Sequence, residues 1–206
     1  MERDEFYRLY DELLPVIKVL EKDSAAAHSD VNQTYGGDLP YSYHLRLTAG
    51  YAARFGHLVA ASREDVLILF MAAYYHDTLE DARLTYNDLC KRFTRISEQV
   101  GMPLPVRLAA EVVYALTNEK GRTREERADE RYYAGIRRTP LATFVKMCDR
   151  LANVRHSTLT FPPQRMARVY RDEAPHFVES IGQGAVTPLP EEMTNLMYQL
   201  FQEAGL

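Results

Sequence analysis

The run Val66-Leu67-Ile68-Leu69-Phe70-Met71-Ala72-Ala73 restricts this chain more than any other stretch. It has no polar face, so it predicts a buried helix. Ser62, with Asp65 three residues later, supplies a capping-type start for that helix. Directly after it comes Tyr74-Tyr75-His76-Asp77-Thr78-Leu79-Glu80-Asp81, which places a histidine and three carboxylates at the edge of a core. Charges there are costly unless they are paired or bound to metal. If the helix continued, His76 would stand over Glu80 and Asp77 over Asp81 at i,i+4 spacing. Three acids so close repel one another and ask for a cation, whose remaining ligands must come from elsewhere in the chain.

The rest of the chain reads as helices around this one. Phe6, Leu9, Leu13, Ile17 and Leu20 form a helix-period stripe over residues 5–21. From Glu21 to Tyr43 small and polar residues predict a loop, with a turn at Gly36-Gly37. Leu45 to Phe55 is helical and stops at Gly56. Thr85 with Asp88 opens a helix carrying Leu89, Phe93 and Ile96. Pro105 fits the first turn of Val106 to Leu116, whose inward positions are expected to be Leu108, Ala109, Val112, Val113 and Leu116. Residues 118–123 are polar loop, and Thr123 with Glu126 caps a charged helix expected to run to about Arg138. Residues 141–156 form a helix in which Phe144, Val145, Cys148, Leu151 and Ala152 face inward while Lys146, Asp149 and Asn153 share another stripe. Pro162-Pro163 starts a helix through about Ile181, and Glu191 to Phe201 closes the chain. The absence of strand-like alternation makes the expected fold all-α, a single domain over 1–206.

Composition narrows the function classes. At 206 residues the chain suits one well-buried domain, and its net charge of -4 gives no general attraction to nucleic acid or anionic membranes. Met1-Glu2-Arg3-Asp4-Glu5 is charged and followed by no apolar leader segment, and no stretch reaches the roughly 18 apolar residues of a membrane span. Cys90 and Cys148 lie far apart, outside any CxxC pattern. A cytoplasmic protein is expected, with Cys148 in the core.

Imidazole and carboxylate ligands without thiolate suit a divalent ion such as Mn²⁺, Fe²⁺, Mg²⁺, Co²⁺ or Zn²⁺. His76 and Asp77 are adjacent and both can reach one ion near the helix end. His44, just before an apolar helix, and Asp149, a lone acid in an apolar and basic helix, are the best further candidates.

The order His44, His76-Asp77, Asp149 resembles that of the HD-domain metal-dependent phosphohydrolases. Three segments resemble one branch of them, the hydrolase domain of RelA/SpoT-type alarmone enzymes and its small single-domain relatives: Pro40-Tyr41-Ser42-Tyr43-His44, His76-Asp77-Thr78-Leu79-Glu80-Asp81, and Lys146-Met147-Cys148-Asp149-Arg150-Leu151-Ala152-Asn153-Val154-Arg155. The resemblance implies an HD-type helical bundle with its motifs over about 37–157, completed by helices in 162–206. It further implies one ion, usually manganese, held by His44, His76, Asp77 and Asp149, with Glu80 and Asp81 as the acidic pair beside the attacking water. Asn153 would contact the nucleotide, at its sugar. The implied reaction removes the 3′-diphosphate of guanosine tetra- or pentaphosphate. Lys146, Arg150, Lys120 and Arg122 are the cations available for such an anion. With about fifty residues after Asn153, no synthetase segment is expected.

The chain departs from the alarmone pattern before His44, where Gly36-Gly37-Asp38-Leu39 stands in place of a basic pair, and Leu45 follows His44 in place of proline. An HD phosphatase for another nucleotide, a nucleoside monophosphate or NADPH, is therefore the alternative enzyme. A silent nucleotide-binding regulator is the alternative of another class. His28, His57, His156 and His176 are expected to be structural or on the surface. The segments 23–43 and 118–138 could form a lid, and the oligomeric state is not readable.

Overall fold

The computed structural model of this chain describes residues 1–118, 122–160 and 162–206, without the side chains of 124 and 125. The central element is the helix α3, Arg63–Tyr75, in which every residue from Val66 to Tyr75 is buried. Ser62 accepts from the Asp65 amide and Asp65 from the Ser62 amide, a complete capping box that fixes where the helix starts. Around α3 pack α1 (Arg3–Ser29), α2 (Ser42–Phe55), α5 (Val106–Leu116) and α8 (Ala142–Thr158). The helix α4 (Tyr86–Val100) leans on α5; it opens on the Thr85–Asp88 capping box and closes on Gly101 in the left-handed conformation, φ 62°. Then α7 (Glu130–Arg138), α9 (Arg165–Gly182) and α10 (Glu191–Glu203) complete the layer on α8. The architecture is all-α, and no described helix is long and apolar enough to cross a membrane.

Several local expectations are corrected. The helix α1 runs on through Ser24-Ala25-Ala26-Ala27-His28-Ser29 instead of giving way to a loop at Glu21. Ser24, Ala27 and His28 continue its buried stripe one turn at a time, and alanine is the strongest helix former, so only the large apolar side chains end there. The remainder of the loop holds a short antiparallel hairpin, β1 (Thr34–Tyr35) with β2 (Leu39–Pro40), in register Thr34↔Pro40 and Tyr35↔Leu39. Gly36 and Gly37 turn it at φ 62° and 105°, values open to glycine. The charged helix is broken in two: α6, Arg124–Arg127, precedes α7, because Asp129 takes extended backbone and accepts from the Tyr132 amide as a new cap. Leu108 is 53% exposed rather than inward, while its neighbours Ala109, Val112, Val113 and Leu116 are buried. The helix α9 starts at Arg165, two residues beyond the prolines, with Pro175 inside it. Cys148 is buried and Cys90 partly so, and both are free thiols.

Candidate metal centre

Three elements bring the candidate ligands to one point. His44 sits in the first turn of α2, His76 caps the C-terminus of α3 with Asp77 next to it, and Asp149 lies mid-way along α8. The α3 helix does not continue through the acidic stretch. Thr78 is buried and closes the helix end, its amide and hydroxyl both donating to the Tyr75 carbonyl at 3.0 and 2.7 Å. One further α-type turn survives, Asp81 N–H to the Asp77 carbonyl at 2.8 Å, which keeps Asp81 beside Asp77.

The donor atoms converge closely. His44 Nε2 and His76 Nε2 are 3.0 Å apart, and Asp77 Oδ2 is 2.8 Å from the second and 3.4 Å from the first. Asp149 Oδ1 stands 3.3 Å from His44 Nε2 and 3.7 Å from His76 Nε2. Neighbouring donors on one octahedral ion, at about 2.1 Å from it, lie about 3 Å apart, so the mutual spacing of His44, His76 and Asp77 fits a shared divalent cation, with Asp149 standing beside both imidazoles. The second contacts fit as well. His76 Nδ1 lies 3.0 Å from the Ala73 carbonyl and donates to it, which leaves the Nε2 lone pair facing the cluster. The donor set holds no sulfur, which suits Mn²⁺, Fe²⁺, Mg²⁺, Co²⁺ or Zn²⁺.

Without an ion the cluster holds protons instead. Burial lowers the His76 pKa, but the Asp77 charge and hydrogen bonds to Asp149 and Asp77 outweigh it and bring it to about 10. Burial also opposes ionisation of Asp77 and Asp149, yet His76 beside the first and Lys146 beside the second hold both well below the usual carboxylate range. A metal ion must therefore displace a proton from His76 at neutral pH. Calorimetric Mn²⁺ titrations in buffers of different ionisation enthalpy should show proton release, with affinity rising with pH up to about 10, where His76 loses its proton unaided. Affinity independent of pH would contradict this arrangement.

His44, Asp77 and Asp149 line a cleft of about 770 Å³. Glu80 lines it, with both carboxylate oxygens receiving the Asn118 amide at 3.0 and 3.3 Å. Desolvation by the cleft walls, then the Asp77 charge, pushes the Glu80 and Asp81 carboxyls above their usual range. Lys146, Arg150 and Asn153 line the cleft too, but each is engaged within the protein. Lys146 Nζ donates to Asp149 Oδ2 at 2.9 Å; Arg150 pairs with Glu173 at 3.0 Å and lies against the rings of Tyr170 and Phe177. Asn153 Nδ2 donates to Asp149 Oδ1 at 2.6 Å. Lys120 falls outside the described residues. Arg122 is exposed and does not line the cleft; its amide donates to the Glu126 carboxylate.

Some contributors carried no assigned role in the sequence. Tyr41 donates to Asp77 Oδ2 at 2.5 Å and, through the same hydroxyl, bridges to Asp81 Oδ2 at 2.9 Å. His28 is fully buried and stacked on Tyr41, ring centroids 4.3 Å apart. Tyr41 lay in a segment singled out by its resemblance; no signal marked its bridging role. His176 is exposed and lines the far wall with Tyr170, Glu173, Phe177 and Ser180, one face of α9. Arg127, Ala128, Asp129 and Glu130, from the segment read as a possible lid, form part of the rim.

Comparison with known proteins gives one family match: residues 41–154 fit the model of the HD domain. The matched segment takes in His44, His76, Asp77, Glu80, Asp81 and Asp149 and stops short of α9. No curated protein matches the chain.

Proposed function

The chain belongs to the HD-domain family, whose members are in general metal-dependent hydrolases, and from that premise we propose that it is a nucleotide phosphohydrolase of the alarmone-hydrolase type, acting in the cytoplasm. The substrate on this reading is guanosine tetra- or pentaphosphate. Water attacks the 3′-linked phosphorus, the bond to the ribose 3′-oxygen breaks, that oxygen gains a proton, and pyrophosphate leaves with GDP or GTP. The observation that carries the reading is the convergence of two imidazoles and the Asp77 carboxylate at a nucleotide-sized cleft, with Asp149 beside both imidazoles and Glu80 on the cleft lining.

A divalent ion held by His44, His76, Asp77 and Asp149, manganese by the resemblance, would supply Lewis-acid activation of water and of the phosphoryl oxygen. Glu80 accepts the proton of the attacking water at a carboxylate oxygen, oriented by the Asn118 amide. Asp81 is tied through Tyr41 to Asp77 and keeps that edge of the cleft rigid. Lys146 and Arg150 place positive charge along the cleft wall while their partners hold them in place.

One observation favours a second reading. The hairpin turn before His44 is Gly36-Gly37-Asp38, which has no basic side chain for a guanine nucleotide. That departure keeps a nucleoside monophosphate or NADPH as the alternative substrate. The two readings separate on product. With Mn²⁺, guanosine tetraphosphate should yield pyrophosphate and no orthophosphate, and chelator should stop it. Orthophosphate from a monophosphate or NADPH, with the tetraphosphate inert, would transfer the function to the second reading. Nucleotide binding with no turnover in any metal would leave a regulator.

A further inference from the structure

Asn153 is the residue that the family resemblance gives to the nucleotide sugar, and its surroundings in this chain suggest another task. Its amide is occupied at both ends. Nδ2 donates to Asp149 Oδ1 at 2.6 Å and to the Asp149 carbonyl at 3.1 Å, one helical turn back. Oδ1 accepts the Tyr35 hydroxyl at 2.9 Å, from a residue 118 positions away in the sequence. The orientation is dictated chemically, since turning the amide over would set its carbonyl oxygen against a carboxylate and leave the phenol facing an N–H group.

We propose that Tyr35 is a positioning residue for the metal centre, acting through Asn153 on Asp149. The inference rests on the reading of His44, His76, Asp77 and Asp149 as metal ligands. Asp149 Oδ1 is the oxygen that faces both imidazoles, while Oδ2 is held by Lys146. A carboxylate on α8 could turn about its last bond; Lys146 restrains one oxygen and Asn153 the other. Asn153 could itself swing, and the Tyr35 hydroxyl stops it. The Tyr35 ring meanwhile stacks on His44, centroids 4.8 Å apart and planes 22° from parallel. One side chain thus restrains two of the four ligand residues.

Tyr35 is held in turn by the seat of its hairpin. Its ring packs on His156 at 4.6 Å, and a Cβ on the neighbouring Gly36 would fall 2.6 Å from His156 Nε2. A side chain at position 36 would have to displace the His156 ring, so glycine lets the turn close onto α8 as it does here.

The test is Mn²⁺ binding to the nucleotide-free protein by calorimetry, for wild type, Tyr35→Phe, Asn153→Ala and the double variant, with KM measured alongside. Asn153→Ala should weaken Mn²⁺ by about 10- to 100-fold. Tyr35→Phe should weaken it by about 2- to 10-fold, the worth of one neutral hydrogen bond. In the Asn153→Ala background Tyr35→Phe should have no further effect, because both act along one line. Unchanged Mn²⁺ affinity in both single variants, or a raised KM for Asn153→Ala with Mn²⁺ affinity intact, overturns the proposal and returns Asn153 to the substrate. A Tyr35→Phe loss that is equally large in both backgrounds also overturns it, since Tyr35 would then act without Asn153. Wild-type protein that binds no divalent ion fails differently, by removing the metal centre itself.

Discussion

Asp77→Ala is expected to lower kcat by at least about a thousandfold, the equivalent of roughly 4 kcal/mol of lost Lewis-acid stabilisation, and to remove measurable Mn²⁺ binding at micromolar protein. Asp77 Oδ2 lies within 3.4 Å of both imidazole Nε2 atoms and also accepts the Tyr41 hydroxyl. The substitution therefore deletes a donor atom, a negative charge and the anchor of Tyr41 together. It also changes the metal-free state. The Asp77 charge is the largest of the causes that raise the His76 pKa against burial, so its loss lowers that pKa while Asp149 still raises it. The far-UV circular dichroism should be unchanged, because Asp77 lies past the end of α3 and the capping box of that helix is untouched. Near-wild-type turnover together with near-wild-type Mn²⁺ affinity would show that these residues do not form the centre.

Glu80→Gln is expected to lower kcat by about 10²- to 10⁴-fold while leaving Mn²⁺ affinity nearly unchanged. Glu80 is outside the converging ligand atoms, and glutamine keeps its shape beside Asn118 while losing the ability to take a proton at a carboxylate oxygen. The pH profile adds a signature. Desolvation and the Asp77 charge hold the Glu80 carboxyl above the ordinary carboxylate range, and the base must be ionised to act. In the wild type kcat/KM should fall as the pH drops through that raised value; in Glu80→Gln this acid limb should be missing. A variant that keeps both its rate and the limb would move the base to another group, and Asp81, also raised, is the neighbouring carboxylate.

Much of the fold was legible because it depends on near neighbours. The apolar run of α3, the capping boxes at Ser62–Asp65 and Thr85–Asp88, and the inward face of α8 all follow from side chains within one or two turns of each other. The misreadings share a cause. In Ser24 to Ser29 the buried stripe is carried by small and polar side chains, which a search for large apolar residues passes over. At Asp129 the charged pattern is periodic on both sides of the break, and the cap that divides it is a single acid among many. Leu108 sits at an apolar period yet faces solvent, because the described residues leave that side of α5 uncovered.

The candidate centre divides in the same way. The sequence by itself determined which donor atoms exist and that three acids crowd the end of a buried helix, and it offered His44 and Asp149 as candidates to join them, a set that the family resemblance implies. Chemical type and local spacing suffice for the donors and the crowded acids; the resemblance supplied the rest. Only the tertiary structure decided what surrounds those donors: the Tyr41 bridge between Asp77 and Asp81, the Tyr35–Asn153 link to Asp149, the engagement of Lys146 and Arg150 with carboxylates, and the α9 wall of the cleft. Most of these contacts join residues far apart in the chain, and their distances are set by how helices and a hairpin seat against one another. Such seating depends on the sum of many packed side chains, so no short pattern of residues carries it.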